Sequence, residues 1–401
     1  MRPFTHTLPF SDALRIVMAA AAPITRIETL PLLDADGRVL ARDLVATVDV
    51  PPFDRAAMDG YAVVARDTAT DGPATPTTLV CVDRVFTGQV PTRGVGPGEC
   101  IEVATGAPLP PGADAVVIVE DTTRDGDRVR VHAPVAPRQH VGPRAADIAA
   151  GQTVVPCGQV LSPSRIGAIA ATGATHVAVF ARPSVAILST GNEIAAPGRP
   201  LAPGQIYDIN RFTVEAVVRR HGGVAASLST AADTIEDLLA AVDAAAAHDI
   251  LVFSGGSSVG ERDLIIDAVR QRGEVIFHGI AVKPGKPTLF GRIGRTIVFG
   301  MPGYPTSCLS NAYMLLLPFL RAMARLPAWE PRTVDLPLAR RIASVAGRHQ
   351  FYTVRVAGGR AEPAFKASGD ITSMAHADGY FEVPADTQTV DAGTVVRVTL
   401  F

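Results

Sequence analysis

Cysteine is scarce. The chain has four in 401 residues, Cys81, Cys100, Cys157 and Cys308, and none sits in a C-x-x-C pair. No histidine cluster has metal-ligand spacing beside them, which argues against a structural zinc site or a disulfide framework and fits a reducing cytoplasm. An excess of one charge is also missing: 37 Lys and Arg against 39 Asp and Glu leave −2, so no basic surface for nucleic acid is advertised. Long apolar runs are absent too. The most apolar stretch, around Tyr313 to Leu320, is too short to span a bilayer and is broken by Pro318. The first residues, Met1 to His6, lack a charged start followed by an apolar run, so no secretory signal is expected. What is present suits folded structure, with 47% apolar and 19% charged residues. A chain of this length calls for more than one core.

The organisation changes along the chain. Residues 11–22 read as a short amphipathic helix, capped by Ser11 or Asp12 and stopped by Pro23. Residues 46–141 are rich in Val, Thr, Gly and Pro and read as a small β domain, with a hairpin turn at Arg124-Asp125-Gly126-Asp127. Residues 142–182 are mixed, with a helix expected from Pro163 to Thr172. Residues 183–325 alternate between strand and helix. Val185 to Leu188, Ile250 to Phe253 and Glu274 to Val282 read as strands. Arg211 to His221, Thr234 to Ala247 and Pro305 to about Met323 read as helices. This βαβ pattern predicts a parallel-type sheet covered by helices on both faces. From about 326 the chain is β-rich again and reads as a small barrel or sandwich.

In an open α/β sheet, ligands bind beyond the carboxyl ends of the strands. Three such ends here are glycine-rich turns: Ser189-Thr190-Gly191-Asn192-Glu193, Ser254-Gly255-Gly256-Ser257-Ser258-Val259-Gly260, and Gly300-Met301-Pro302-Gly303. Glycine lets backbone N–H groups approach an anion, and the helix that follows favours negative charge. Three in one sheet point to a phosphate-bearing or oxyanion ligand. Lys283-Pro284-Gly285-Lys286-Pro287 holds two lysines in a stiff loop, which suits a dianion. Among the acids, Asp233 opens a capping box with Glu236, so capping and ligand binding are not separated by sequence. Asp263 lies in the first turn of a helix, where a carboxylate stabilises the dipole in any case. Glu193 and Asp208 have no such structural explanation, and carboxylates near phosphate turns suit Mg2+. The Asp-Gly step in Met58-Asp59-Gly60-Tyr61-Ala62 and the turn Thr105-Gly106-Ala107-Pro108 are, alone, only turn signals.

Taken in order, these segments resemble the MoeA and gephyrin E-domain family of molybdopterin molybdenumtransferases. The match runs through Gly37-Arg38-Val39-Leu40-Ala41, Pro51-Pro52-Phe53-Asp54, Met58-Asp59-Gly60-Tyr61-Ala62 and Ala104-Thr105-Gly106-Ala107-Pro108. It continues through the Ser189 and Ser254 turns, Val259-Gly260 with Asp263, Lys283 to Pro287, Pro302-Gly303, and Ser368-Gly369. The resemblance implies four subdomains: 1–45 plus 142–182, an inserted β subdomain 46–141, an α/β domain 183–325 with a molybdopterin adenylyltransferase-like fold, and a C-terminal β domain 326–401. It implies a homodimer. It also implies insertion of molybdate into adenylylated molybdopterin, with Mg2+-assisted release of AMP. The adenylyltransferase is then the expected supplier and molybdoenzymes the expected recipients. Carried over, Lys283 and Lys286 hold molybdate or phosphate oxygens, and Asp59 and Thr105 complete the cleft from the partner subunit. Ser189, Thr190, Gly191, Ser254, Gly255, Gly256, Pro302, Gly303 and Ser368 bind the pterin nucleotide. Glu193, Asp208, Asp233 and Asp263 position Mg2+ and nucleotide.

Departures from the family pattern fall at Ala56, Ala146, Asn192, Ser257 and Tyr304, where Ser, Glu, Asp, Val and Asn are usual. They leave open a tungstate-inserting relative and a pterin-binding scaffold or carrier without turnover.

Overall fold

The computed structural model describes residues 7–69, 76–228, 234–255 and 264–401. They form two compact units. The first comprises Met1–Glu28, Gly37–Val39 and Phe180–Phe401, and the second Thr29–Asp36 and Leu40–Val179.

The first unit is built on a six-stranded sheet. Its strands are β1 (Ser184–Ser189), β2 (Val224–Ser227), β3 (Ile250–Ser254), β4 (Glu274–His278), β5 (Leu289–Ile293) and β6 (Thr296–Met301), in the spatial order β2-β1-β3-β6-β5-β4. β2, β1, β3 and β6 pair in parallel, and β5 alone runs against them, pairing antiparallel with both β6 and β4. The sheet is therefore mixed rather than all parallel. The Gly294-Arg295 connection from β5 to β6 is too short for a crossover, and Gly294 takes a φ of 57°, so the chain reverses directly into a hairpin. The single strand expected over Glu274 to Val282 ends at His278, and Val282–Lys283 pairs separately with His349 and Gln350.

Side chains alternate across the sheet. Val185, Ile187, Ile250, Val252 and Phe299 enter one core, and Ala186, Leu188, Leu251, Phe253 and Val298 the other. Both faces are thus dry, which explains why these strands read as continuous apolar runs. Its helices include α1 (Phe10–Ala19), α2 (Asn210–Arg220), α3 (Ile235–Ala245), α4 (Leu264–Arg272) and α5 (Pro305–Asn311). Residues of α1, α2 and α5 join the first core, and residues of α3 and α4 the second. Neither Ser11 nor Asp12 caps α1. The helix starts behind Pro9 with no side-chain cap, and Asp12 lies in its first turn. The cap of α3 is Thr234, whose hydroxyl accepts from the Asp237 N–H, one residue beyond the expected Asp233, which lies outside the described residues. The helix expected from Pro305 to Met323 is broken by a π turn over Ala312–Leu316 before Leu317–Met323 resumes. Pro318 has no N–H to donate to the preceding turn, and the wider π turn accommodates that loss.

The C-terminal segment folds back as a sheet in the order Val282–Lys283, His349–Ala357, Gly379–Val383, Val395–Leu400, Thr333–Pro337, with Arg360–Pro363 paired to His349–Ala357. A bridge between Leu338 and Ala361 joins the far ends, giving a barrel-like closure around Val354, Phe381 and Val398.

The second unit carries another six-stranded sheet, in the order Ala115–Ile118, Gly60–Val63, Glu99–Val103, Thr77–Val85, Arg128–Val131, Thr122–Asp125. The hairpin at Asp125 to Arg128 forms as expected. The Asp59-Gly60 step is not a hairpin. Gly60–Val63 pairs with Glu99–Val103 and Ala115–Ile118 rather than with the preceding Arg55–Ala56. In the same unit Pro163–Ala171 is helical, with the Ser162 hydroxyl accepting from the Arg165 N–H.

Candidate functional site

In the first unit the carboxyl ends of β1, β3 and β6 meet. The Thr190 N–H donates to the Ser254 carbonyl at 3.0 Å, stitching the β1 turn to β3. Gly255 follows with a φ of 106°, and a Cβ there would lie 2.3 Å from the Thr190 carbonyl oxygen. Only glycine allows that approach. A Cβ on Gly303 would lie 3.5 Å from the Gly255 Cα, so the turn after β6 closes over the turn after β3. Ser189 and Thr190 are buried, and their hydroxyl oxygens have no hydrogen-bond partner among the described residues. A buried hydroxyl without a partner carries a desolvation cost, so among the described residues this strand end lacks a polar group that a ligand could supply. Gly256 and the Ser257 to Asp263 segment lie outside the described residues.

Two asparagines that nothing in the sequence marked hold the surrounding turns. Asn210, at the start of α2 and 7% exposed, donates through Nδ2 to the Gly303 carbonyl at 2.7 Å, and its Oδ1 has no partner among the described residues. Asn311, fully buried at the end of α5, donates through Nδ2 to the Gly285 carbonyl at 3.1 Å and to Thr288 Oγ1. Thr288 Oγ1 donates in turn to Gly285 O at 2.7 Å. A Cβ on Gly285, φ 113°, would lie 2.5 Å from Asn311 Oδ1. The Lys283 to Pro287 loop, with a cis Lys283-Pro284 bond, is therefore fixed to the helix that begins at the third turn. Lys283 and Lys286 are both half-buried. Isolated asparagines carry no periodicity or spacing, which is why sequence reasoning missed them.

The carboxylates separate into two kinds. The Glu193 side chain is exposed and folds over its own turn: a Cβ on Gly191, φ 134°, would lie 2.6 and 2.7 Å from its two oxygens. Asp208 does have a structural task, against the expectation. It is buried, and its Oδ1 accepts from the Arg211 N–H at 3.1 Å in the first turn of α2. Asp233 and Asp263 lie outside the described residues. Among the described residues no group of three or more His, Cys, Asp and Glu gathers as a metal site. Ser368 reaches the region from the C-terminal segment, its carbonyl accepting from the Thr306 N–H of α5 at 3.1 Å. Tyr304 precedes that helix with 67% of its surface exposed, and its ring lies against Gly369.

In the second unit Asp59 and Thr105 form one contact. Asp59 Oδ1 accepts from the Thr105 N–H at 2.7 Å and from the Thr105 hydroxyl at 3.0 Å. These two donors, the backbone one first, hold the exposed Asp59 carboxyl below its usual range. Gly60 is fixed by packing, since a Cβ there would lie 1.9 Å from the Val117 carbonyl oxygen of the neighbouring strand. The sequence thus read Asp59-Gly60 as a turn, whereas the glycine is needed for close strand approach.

Three family models cover the chain in order: the MoeA N-terminal region (domain I and II) over residues 8–173, a probable molybdopterin binding domain over 186–322, and the MoeA C-terminal region (domain IV) over 335–401. A Mycobacterium tuberculosis protein named molybdopterin molybdenumtransferase 2 is 35% identical over 95% of this chain and 96% of its own length. The chain belongs to the MoeA family. A Staphylococcus aureus molybdopterin molybdenumtransferase is 27% identical over 98% of this chain and 96% of its own. The crystal structure of a MoeA protein from Pyrococcus horikoshii superposes with a TM-score of 0.86, at 39% identity, over 98% of this chain and 99% of that one. MoeA membership places the chain in molybdenum cofactor biosynthesis and supports enzyme activity. No described helix is long and apolar enough to cross a membrane.

Proposed function

We propose that this chain is a molybdopterin molybdenumtransferase that inserts molybdate into adenylylated molybdopterin and releases AMP with Mg2+ assistance. The observation that carries the reading is the strand end itself: the turns meet around the buried hydroxyls of Ser189 and Thr190, which have no partner among the described residues. Polar groups of the pterin nucleotide would supply the missing partners, with Gly191, Ser254, Gly255, Gly256, Pro302, Gly303 and Ser368 shaping the site. Lys283 and Lys286, on a loop fixed by Asn311, would hold the oxygens of molybdate or phosphate as preorganised cations. Tyr304 stands exposed rather than filling the strand end, which favours turnover over a blocked carrier.

Mg2+ takes hard oxygen ligands and is commonly held by one or two carboxylates with substrate phosphates. Glu193 fits that chemistry, with Asp233 and Asp263 as its proposed companions. Asp208 serves better as the cap of α2. Bound there, the cation would offset phosphate charge. The Asp59–Thr105 contact would reach the cleft from the second copy of a homodimer, and the chain would divide into the four subdomains expected above. The adenylyltransferase would supply the nucleotide substrate, and molybdoenzymes would take the product.

The test is AMP release from adenylylated molybdopterin with Mg2+, with and without molybdate. Release should depend on molybdate and fall about 10–100-fold in Lys283→Ala and in Asp59→Ala. Binding without release would favour a carrier. Equal release with tungstate in place of molybdate would leave the metal preference to competition experiments.

A further inference from the structure

Cys81 and Cys100 are register partners on the adjacent parallel strands Thr77–Val85 and Glu99–Val103. Both side chains pack into one hydrophobic cluster with Tyr61, Leu79 and Val129, so both thiols point to the same face. Neighbouring strands lie about 4.8 Å apart, inside the Cα separation of roughly 4.4–6.8 Å that a disulfide spans. A β-bulge between Cys81 and Asp83 gives the strand a place to adjust. Both cysteines are reduced, Cys100 buried and Cys81 half-buried. The pair is asymmetric in its surroundings. The Arg124 guanidinium, ion-paired to Glu102, sits beside Cys81 and the Tyr61 hydroxyl. Burial first, and Cys81 second, push the Cys100 thiol up to about 12.

The position of the pair gives it a consequence. The strand of Cys100 pairs Val103 with Gly60 and Glu102 with Tyr61. Asp59 and Thr105, whose contact was described above, lie just beyond that register.

We propose that Cys81 and Cys100 are a reversible redox pair that closes to an intramolecular disulfide under a low-molecular-weight disulfide oxidant, and that closure is felt at the Asp59–Thr105 contact. In the first step the Cys81 thiolate attacks one sulfur of glutathione disulfide and expels one glutathione thiolate. In the second, Cys100 loses its proton to solvent and attacks the Cys81 sulfur, expelling the second glutathione thiolate. Two protein thiols are oxidised, one disulfide is reduced to two thiols, and the protein loses two hydrogen atoms. The raised Cys100 thiol makes the second step the slower one, and it speeds up as the pH rises.

The experiment uses the full chain with the exposed Cys157 replaced, Cys157→Ser. It is treated with glutathione disulfide at neutral and alkaline pH and mapped by mass spectrometry of non-reduced peptides. The expected result is a linked peptide pair joining Cys81 to Cys100, favoured at alkaline pH, reversed by dithiothreitol and absent in Cys81→Ser. Amide exchange over residues 99–106 should slow several-fold on closure, because a cross-link restricts local opening. Glutathionylated Cys81 with Cys100 still reduced at alkaline pH would overturn the pairing, as would a folded protein in which neither cysteine reacts. A disulfide that leaves exchange at 104–106 unchanged would overturn the coupling to Asp59. The measurement needs neither pterin nor molybdate, so it is independent of the proposed function.

Discussion

Asn311→Ala should loosen the lysine loop without touching either lysine. Asn311 is fully buried, and its Nδ2 donates to both the Gly285 carbonyl and Thr288 Oγ1. Losing two such bonds costs about 1 kcal/mol each, and the void left by the carboxamide about 1–2 kcal/mol more. Asn311 Oδ1 has no partner among the described residues, so its removal returns about 1 kcal/mol. Gly285 O keeps its bond from Thr288, so no backbone acceptor is orphaned. The net loss is about 2–3 kcal/mol. Asn311→Asp keeps the size but replaces the donor with a carboxylate facing the Gly285 carbonyl, so it should cost more than alanine. The assay is urea unfolding followed by the fluorescence of Trp329, the chain's single tryptophan, which belongs to the same unit. A change below about 0.5 kcal/mol, or an Asp variant as stable as the Ala variant, would refute the claim that Asn311 pins the loop.

Thr105→Val removes the hydroxyl but keeps the backbone donor, so the Asp59 carboxyl should rise toward its ordinary 3.8 without reaching it, as read by carbon NMR titration. The sign follows from a depressed folded value: the contribution to stability is present above 3.8 and is lost as pH falls through the folded pKa. His221 acts in the same direction over a higher pH window. Burial, then Arg321 and Arg220, push it from 6.5 down to about 4, so the unfolded chain takes up its proton first and stability falls as pH drops from 6.5 toward 4. His221→Phe keeps a ring against Trp329 and should flatten that acid dependence; an unchanged slope would contradict the assignment. Gly60→Ala places a Cβ 1.9 Å from Val117 O and should cost about 2–3 kcal/mol, measured by thermal unfolding, with near-neutral behaviour showing that the strands can part.

Features with a strong local pattern were legible. The helices at Pro163, Arg211 and Thr234, the β1 and β3 strands and the Asp125 hairpin follow their periodicity and turn chemistry within a residue or two. The β5–β6 hairpin was missed because buried antiparallel strands look like buried parallel ones in sequence, and only the two-residue Gly294-Arg295 connection separates the cases. Asp208 was misread because its cap acts from two residues before α2 rather than from the residue next to the helix. The strand-end turns were visible as glycine patterns. That they converge, and that Asn210 and Asn311 hold them, depends on contacts between residues about a hundred positions apart or fewer, which no local pattern encodes.

The central claim is insertion of molybdate at the strand end of the first unit. The most direct measurement is AMP release from adenylylated molybdopterin by the wild-type chain with Mg2+, comparing molybdate present and absent. The account predicts release only with molybdate, accompanied by molybdenum retained on the pterin. Release at the same rate without molybdate, or no release in its presence, would contradict it.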